Sequence, residues 1–170
     1  MFSNNKKRYA KEYYDELYKI YRLTMDLFEN DSEIKSLLNE NNSLGFELLS
    51  ILLFYTSQKN QEAISDNKLA LNLIGLIHDF YYDDLRNKMQ LNYEERKQAS
   101  SLLNKRYSDY SNFLKANEPV LVLTRYFINN AFSSNKNDLS IILSSSKYLV
   151  ECVKKIEILT NNLKIKYSFS

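Results

Sequence analysis

The chain has 170 residues, 44% of them hydrophobic, and a formal net charge of +2. A chain of this size and composition buries enough apolar surface to fold, which excludes wholesale disorder, and its charge is too small to imply nucleic acid or membrane by itself. Only two glycines and one proline are present, so the chain lacks the residues that tight β-turns need, and a β-rich fold is excluded as well.

Three helices are predicted in the first third of the chain. The first has apolar side chains at alternating spacings of three and four: Ala10, Tyr13, Leu17, Ile20, Thr24 and Leu27. A short second helix buries Ile34, Leu37 and Leu38, and the polar residues 41–43 end it. The third, from residue 44 to about residue 57, is apolar nearly all round, which is typical of a helix in the middle of a bundle.

Further helices are predicted after the polar stretch 58–67, which indicates a loop or a frayed helical turn. The fourth helix has one apolar face: Leu69, Leu73, Leu76, Ile77 and Phe80. Asn92 and Glu95 have the spacing of a capping box at the start of a fifth helix that runs to about residue 116. Pro119 fits the first turn of a sixth helix.

A long last helix is predicted after a loop at 133–138. It carries residues at heptad spacing: Ile142, Ser146, Leu149, Val153, Ile156, Thr160 and Leu163. One alternative competes with helix here, because 120–128 is rich in β-branched residues and 163–169 alternates like a strand, so the two segments could form a minor β pairing. The sequence therefore predicts an all-α fold, a single domain over residues 1–170 built as a bundle of six or seven helices.

One cluster of polar residues could carry chemistry. On a helix, Asp79 and Asp83 share a face, and His78 beside them could complete a cation site, but such acids more often form the solvated side of an amphipathic helix. Helical ribonucleases of the HEPN type place an Arg shortly before a catalytic His, and residues 71–74 contain none. We expect no enzymatic activity, no catalytic residue, no metal and no cofactor.

Positive charge gathers at both ends of the chain, whereas residues 26–47 are acidic. Domain termini often lie close together, so the two basic regions could form one surface interleaved with tyrosine. Lysine suits either an acidic protein surface or nucleic-acid phosphates. The predicted partner-binding residues are Lys7, Lys11, Tyr14, Lys154 and Lys155.

The expected function is that of a non-enzymatic helical interaction protein that binds a partner protein or assembly. Its composition suits a phage or bacterial origin, and small phage- or plasmid-borne inhibitors and immunity proteins have this general character. The alternative is a small helical subunit that contacts RNA or single-stranded DNA within a ribonucleoprotein complex. The polar, basic start and the lone Cys152 indicate a cytoplasmic protein, and no membrane partner is expected.

Overall fold

Seven α-helices account for 90% of the residues described by the structure, a computed structural model. Those residues are 2–35, 37, 43–87, 90–115, 119–132 and 139–169. The helices are α1 (Phe2–Asn30), α2 (Ser32–Lys35), α3 (Leu44–Ala63), α4 (Asn67–Asn87), α5 (Tyr93–Phe113), α6 (Pro119–Ala131) and α7 (Leu139–Lys166). None of the described residues lies in a strand, so the predicted all-α bundle is confirmed.

Helix α3 lies in the middle of the bundle, as its all-round apolar pattern predicts. It packs against α1, α4, α5, α6 and α7, and buried tyrosines, phenylalanines and aliphatic side chains surround it in one core. The helix also continues beyond the predicted end, to Ala63. Asn60 explains the extension, because its side chain is fully buried and its oxygen accepts a hydrogen bond of 2.6 Å from the Tyr9 hydroxyl.

Helices α1 and α7 pack side by side in opposite directions, which brings the two ends of the chain together. Near one end of the pair the Tyr13 hydroxyl lies 2.7 Å from the Thr160 hydroxyl, and further along the Thr24 hydroxyl lies 3.0 Å from the Cys152 sulfur. Burial raises the pKa of the Cys152 thiol, which is therefore a packed, neutral side chain. The expectation that the terminal helices are neighbours is met.

The first half of the suggested β pairing is wrong, because residues 120–128 belong to helix α6. Its Leu123, Thr124, Phe127 and Ile128 are buried at helical spacing against α3 and α7. Packing on two sides decides the conformation here and overrides the β preference of the branched residues.

The second segment of the suggested β pairing is also helical at first, because residues 163–166 form the end of α7, after which the chain reverses. The suggested pairing is therefore wrong for this segment too. Ser168 has φ 54°, and the amide groups of Ser168 and Phe169 donate to the carbonyls of Ile165 and Lys164, at 3.1 and 3.0 Å. This is a Schellman turn, and it folds Phe169 back so that its ring lies 5.2 Å from that of Tyr9. The apparent alternation comes from a helix end and its turn.

The predicted start of α5 is confirmed. The Asn92 side chain accepts from the Glu95 amide at 3.0 Å, and the Glu95 side chain accepts from the Asn92 amide at 2.8 Å, which completes the capping box. Three other expectations lie outside the described residues: the burial of Leu38, the break at 41–42 and the loop at 133–138.

Candidate functional site

A groove of about 780 Å³ lies on the surface between α4 and α5. It is lined by two tyrosines, three cations, one carboxylate and three small polar side chains: Tyr82, Asp83, Arg86, Tyr93, Arg96, Lys97, Ser100, Ser101 and Asn104. None of the residues of α5 before Leu103 is buried, so the first half of this helix forms a wall of the groove and leaves the core to the second half. Ligand sites in proteins commonly occupy 300–1,000 Å³.

The described lining residues carry a net charge of +2, from two arginines and one lysine against Asp83. Arg86 donates to the Asp83 carboxylate at 3.0 Å, but both side chains are more than half exposed, and such pairs contribute little to stability. Within the described part of the chain, Arg96 forms one side-chain hydrogen bond, from Nε to the Asn92 carbonyl at 3.3 Å. Among the described contacts, nothing pairs with the Lys97 ammonium or the Tyr93 hydroxyl. The groove therefore presents donors and positive charge that remain available to a ligand.

Two hydrogen bonds join α4 to α5, one between residues that line the groove and one deeper in the bundle. The Tyr82 hydroxyl lies 3.1 Å from the Ser100 hydroxyl, and deeper in the bundle His78 Nε2 lies 2.6 Å from the Tyr107 hydroxyl. His78 Nδ1 lies 2.8 Å from the Ile74 carbonyl, so this nitrogen carries the proton and Nε2 accepts from Tyr107. Burial lowers the pKa of His78 and raises that of Tyr107, which keeps both side chains neutral.

The side chains that suggested a cation site do not gather around a common point. Both ring nitrogens of His78 are hydrogen-bonded inside the bundle, and Asp83 is paired with Arg86 at the groove. Within the described part of the chain, no group of three His, Cys, Asp or Glu side chains is arranged to hold a metal ion.

A buried ion pair anchors the second half of α5 to the core. Glu47 of α3 is 1% exposed and Arg106 of α5 is 8% exposed, and the Arg106 Nη2 donates to Glu47 at 2.6 Å. Arg106 also donates to the Tyr126 hydroxyl of α6 at 2.8 Å, and that hydroxyl donates to Asp109. Burial is the largest single effect and lowers the pKa of Arg106, but the hydrogen bonds to Glu47 and the nearby charge of Glu47, with smaller effects from Tyr126 and Tyr110, together raise it. Three helices are thus joined at one charged centre.

The four predicted lysines are exposed, and two of them, Lys11 and Lys154, lie beside different helices. Lys11 is paired with Asp15, and its ammonium lies 5.9 Å from the centre of the Phe80 ring of α4. Lys154 lies instead at the rim of a small apolar groove between α6 and α7, where it is 3.4 Å from Glu151. Lys7 and Lys155 are exposed on α1 and α7 respectively. The pairing of α1 with α7 therefore does not merge the two basic regions around Lys11 and Lys154.

The placement of Tyr14 with the exposed lysines is corrected by the structure. Its side chain is 5% exposed, its ring stacks on Phe80 at 6.2 Å, and its hydroxyl donates to Asp84 of α4 at 2.9 Å. Helix α1 packs against both α4 and α7, and Tyr14 lies on the face that meets α4.

The groove itself was missed by sequence reasoning. Its residues recur at spacings of three and four on each helix, a pattern that also describes an ordinary solvated face. Arg86 and Arg96 on either side of the α4–α5 connection, with Tyr82 and Tyr93 beside them, were the available signal. The hydrogen bonds of His78 with Tyr107 and of Tyr82 with Ser100 join α4 to α5, so that these two faces lie opposite each other.

No described helix is both long enough and apolar enough to cross a membrane. Comparison of the chain with protein-family models, with curated protein sequences and with solved structures finds no match.

Proposed function

We propose that the chain is a non-enzymatic interaction protein that binds an acidic segment of a partner protein in the groove between α4 and α5. The observation that carries this proposal is the net charge of +2 on the described lining residues, together with the Lys97 ammonium and the terminal nitrogens of Arg96, which have no partner among the described contacts. Positive potential in a concave site attracts and orients an acidic partner. Arginine and tyrosine are also the residue types most enriched among those that dominate protein interfaces.

The residue types that line the groove favour one conformation of the partner segment over another. None of the described lining residues is aliphatic, whereas grooves that receive an amphipathic helix use apolar pockets for its anchor residues. Carboxylates instead match the guanidinium and ammonium groups of Arg86, Arg96 and Lys97, and Ser101 and Asn104 can bond to a backbone. An extended acidic segment therefore fits better than a helix.

The absence of catalysis is part of the proposal. The chain's single imidazole and single thiol, the usual base and nucleophile, have structural partners: Tyr107 and the Ile74 carbonyl for His78, and Thr24 for Cys152. Inhibition by occupying a target surface needs no reactive group. Action of this kind, as in a small inhibitor or immunity protein of phage or plasmid origin, is the setting that we propose.

Fluorescence anisotropy with a labelled, short Glu-rich peptide tests the function. The triple variant Arg86→Glu, Arg96→Glu and Lys97→Glu should weaken binding by about a hundredfold, since each charge contact contributes on the order of 1 kcal/mol. The matched control, Lys7→Glu, Lys154→Glu and Lys155→Glu, makes the same change in net charge elsewhere and should retain most of the affinity. Equal losses in the two variants would reject the groove as the binding site.

Single-stranded RNA or DNA is the second candidate, and one observation favours it. The Tyr93 side chain is 69% exposed at the groove, where a base could stack on its ring while Arg86 and Arg96 neutralise phosphates. A labelled oligothymidine in the same anisotropy assay separates the two. We expect the Glu-rich peptide to bind more tightly than an oligonucleotide of the same charge. Tighter binding of the oligonucleotide would make nucleic acid the first candidate partner and the acidic segment the second.

A further inference from the structure

We propose that the group recognised in the α4–α5 groove is a phosphate monoester on a side chain of the partner protein, bound by Arg86, Arg96 and Lys97. This inference rests on the proposed function, because it names the chemistry of the partner segment at the same site. The proposed function requires only carboxylates in the partner segment, whereas this inference requires a doubly charged, tetrahedral group.

The first argument is charge. Among the described lining residues, three cations and one carboxylate give a net charge of +2. A phosphorylated side chain carries about −1.5 to −2 at neutral pH and therefore neutralises the groove, whereas one carboxylate leaves about half of the positive charge unmatched. Clusters of arginine are a common way in which proteins recognise phosphorylated segments.

The second argument is the supply of donors. The terminal nitrogens of Arg96 and the Lys97 ammonium have no partner among the described contacts, and Arg86 is held only by exposed neighbours, Asp83 and Asn87. The Ser101 hydroxyl and the Asn104 amide line the same groove. A phosphate monoester offers three acceptor oxygens and accepts charge-assisted bonds from guanidinium forks, so it uses more of this set than the two oxygens of a carboxylate.

The third argument is that charged and polar side chains of the described residues build this site. The Glu95 amide at the start of α5 does not supply it, because the Asn92 side chain already accepts from that amide at 3.0 Å. Arg96 and Lys97 follow directly in the helix and reach the groove from this capped start. The rings of Tyr82 and Tyr93 line the same groove, and each offers an aromatic surface on which an aromatic carrier of the phosphate can pack.

Calorimetric titration of the full chain with phenyl phosphate and with benzoate tests the inference. Phenyl phosphate should bind about tenfold more tightly than benzoate at a pH of about 7.5, because it carries a second charge and a third oxygen. Arg96→Gln with Lys97→Gln should weaken phenyl phosphate by about tenfold, and the matched control Lys154→Gln with Lys155→Gln should leave it unchanged. Lowering the pH to about 5 should reduce its affinity several-fold, because the second pKa of a phosphate monoester is about 6.

Equal affinities for phenyl phosphate and benzoate would overturn the inference, as would equal losses in the two double variants. Adenosine 5′-monophosphate binding about tenfold more tightly than phenyl phosphate would also overturn it, in favour of a nucleotide. If the Glu-rich peptide binds in the groove and phenyl phosphate does not, the inference fails while the proposed function stands. If neither probe responds to the groove substitutions, both fail.

Discussion

The Arg106 guanidinium donates hydrogen bonds to both carboxylate oxygens of Glu47. Its Nε lies 2.9 Å from Oε1 and 2.8 Å from Oε2, and its Nη2 lies 2.6 Å from Oε1. Both side chains are buried, although they come from different helices and stand far apart in the chain. This pair holds α5 to the central helix α3 at the point where the groove-forming half of α5 leaves the core. The ion pair thus fixes the wall on which the candidate site depends.

Removing one partner of this pair should be costly. Arg106→Leu leaves the Glu47 carboxylate buried without a counter-charge, so the free energy of unfolding should fall by about 3–5 kcal/mol. Urea denaturation measures it, and Arg125→Leu, on an exposed position of α6, is the matched control and should cost little. Glu47→Leu combined with Arg106→Leu should be more stable than Arg106→Leu alone, because no lone charge remains. A double variant less stable than the single one would contradict this account of the pair.

His78 should make the stability of the protein depend on pH. Burial lowers its pKa below the usual value, so the unfolded chain binds this proton more readily than the folded chain does. The stabilisation is therefore complete above a pH of about 6.5, the unfolded value, and is lost as the pH falls towards the folded pKa. NMR titration of this single imidazole should give a midpoint below about 6.5, and His78→Gln should flatten the dependence of the melting temperature between about pH 5 and pH 7. A midpoint above that value would refute the hydrogen-bonded, neutral imidazole.

Ser168 offers a test of the C-terminal turn. A non-glycine residue at φ 54° is strained, so Ser168→Gly should raise the free energy of unfolding by about 0.5–1 kcal/mol. The control Ser108→Gly, at an exposed position inside α5, should lower it by about 0.5 kcal/mol. Thermal or urea denaturation compares the two variants, and opposite signs are the expected result. A loss at both positions would show that Ser168 does not adopt the left-handed conformation.

Features that depend on residues close together in the sequence could be predicted. Features that depend on contacts between distant parts of the chain could not. The helical spacing of Ala10, Tyr13 and Leu17, and the capping box of Asn92 and Glu95, are local patterns, and both match the structure. The turn at Ser168 instead brings Phe169 into contact with Tyr9 at the other end of the chain, and the local alternation of 163–169 left a minor β pairing open as an alternative.

The candidate site shows the same limit more strongly. The identity of an exposed tyrosine or arginine can be seen in the sequence, but its neighbours across a groove cannot. Tyr14 and Tyr93 illustrate this, because the first is covered by Phe80 of α4 and the second stands 69% exposed beside three cations. Helical spacing places Tyr14 on the apolar face of α1 with Ala10 and Leu17, but no local pattern shows the neighbours of Tyr93 across the groove.

Tyr93 should contribute to binding without contributing to stability. Tyr93→Ala removes a large, stiff side chain from the groove and should weaken the Glu-rich peptide by about tenfold, as for an aromatic contact at an interface. The melting temperature should stay unchanged, because the side chain is 69% exposed. Ile165→Ala on α7, where the side chain is 75% exposed, is the control and should affect neither quantity. An equal loss of affinity in the control would remove Tyr93 from the binding surface.

The most direct test of the central claim is an NMR map of the contact made by the Glu-rich peptide on the isotope-labelled protein. If the α4–α5 groove is the binding surface, the amide signals that shift will belong to residues 82–86 and 93–104, and the shifts will disappear in the Arg86→Glu, Arg96→Glu and Lys97→Glu variant. Shifts concentrated around Lys7, Lys11, Lys154 and Lys155, with the groove signals unchanged, would contradict the claim and move the binding surface to the terminal helices.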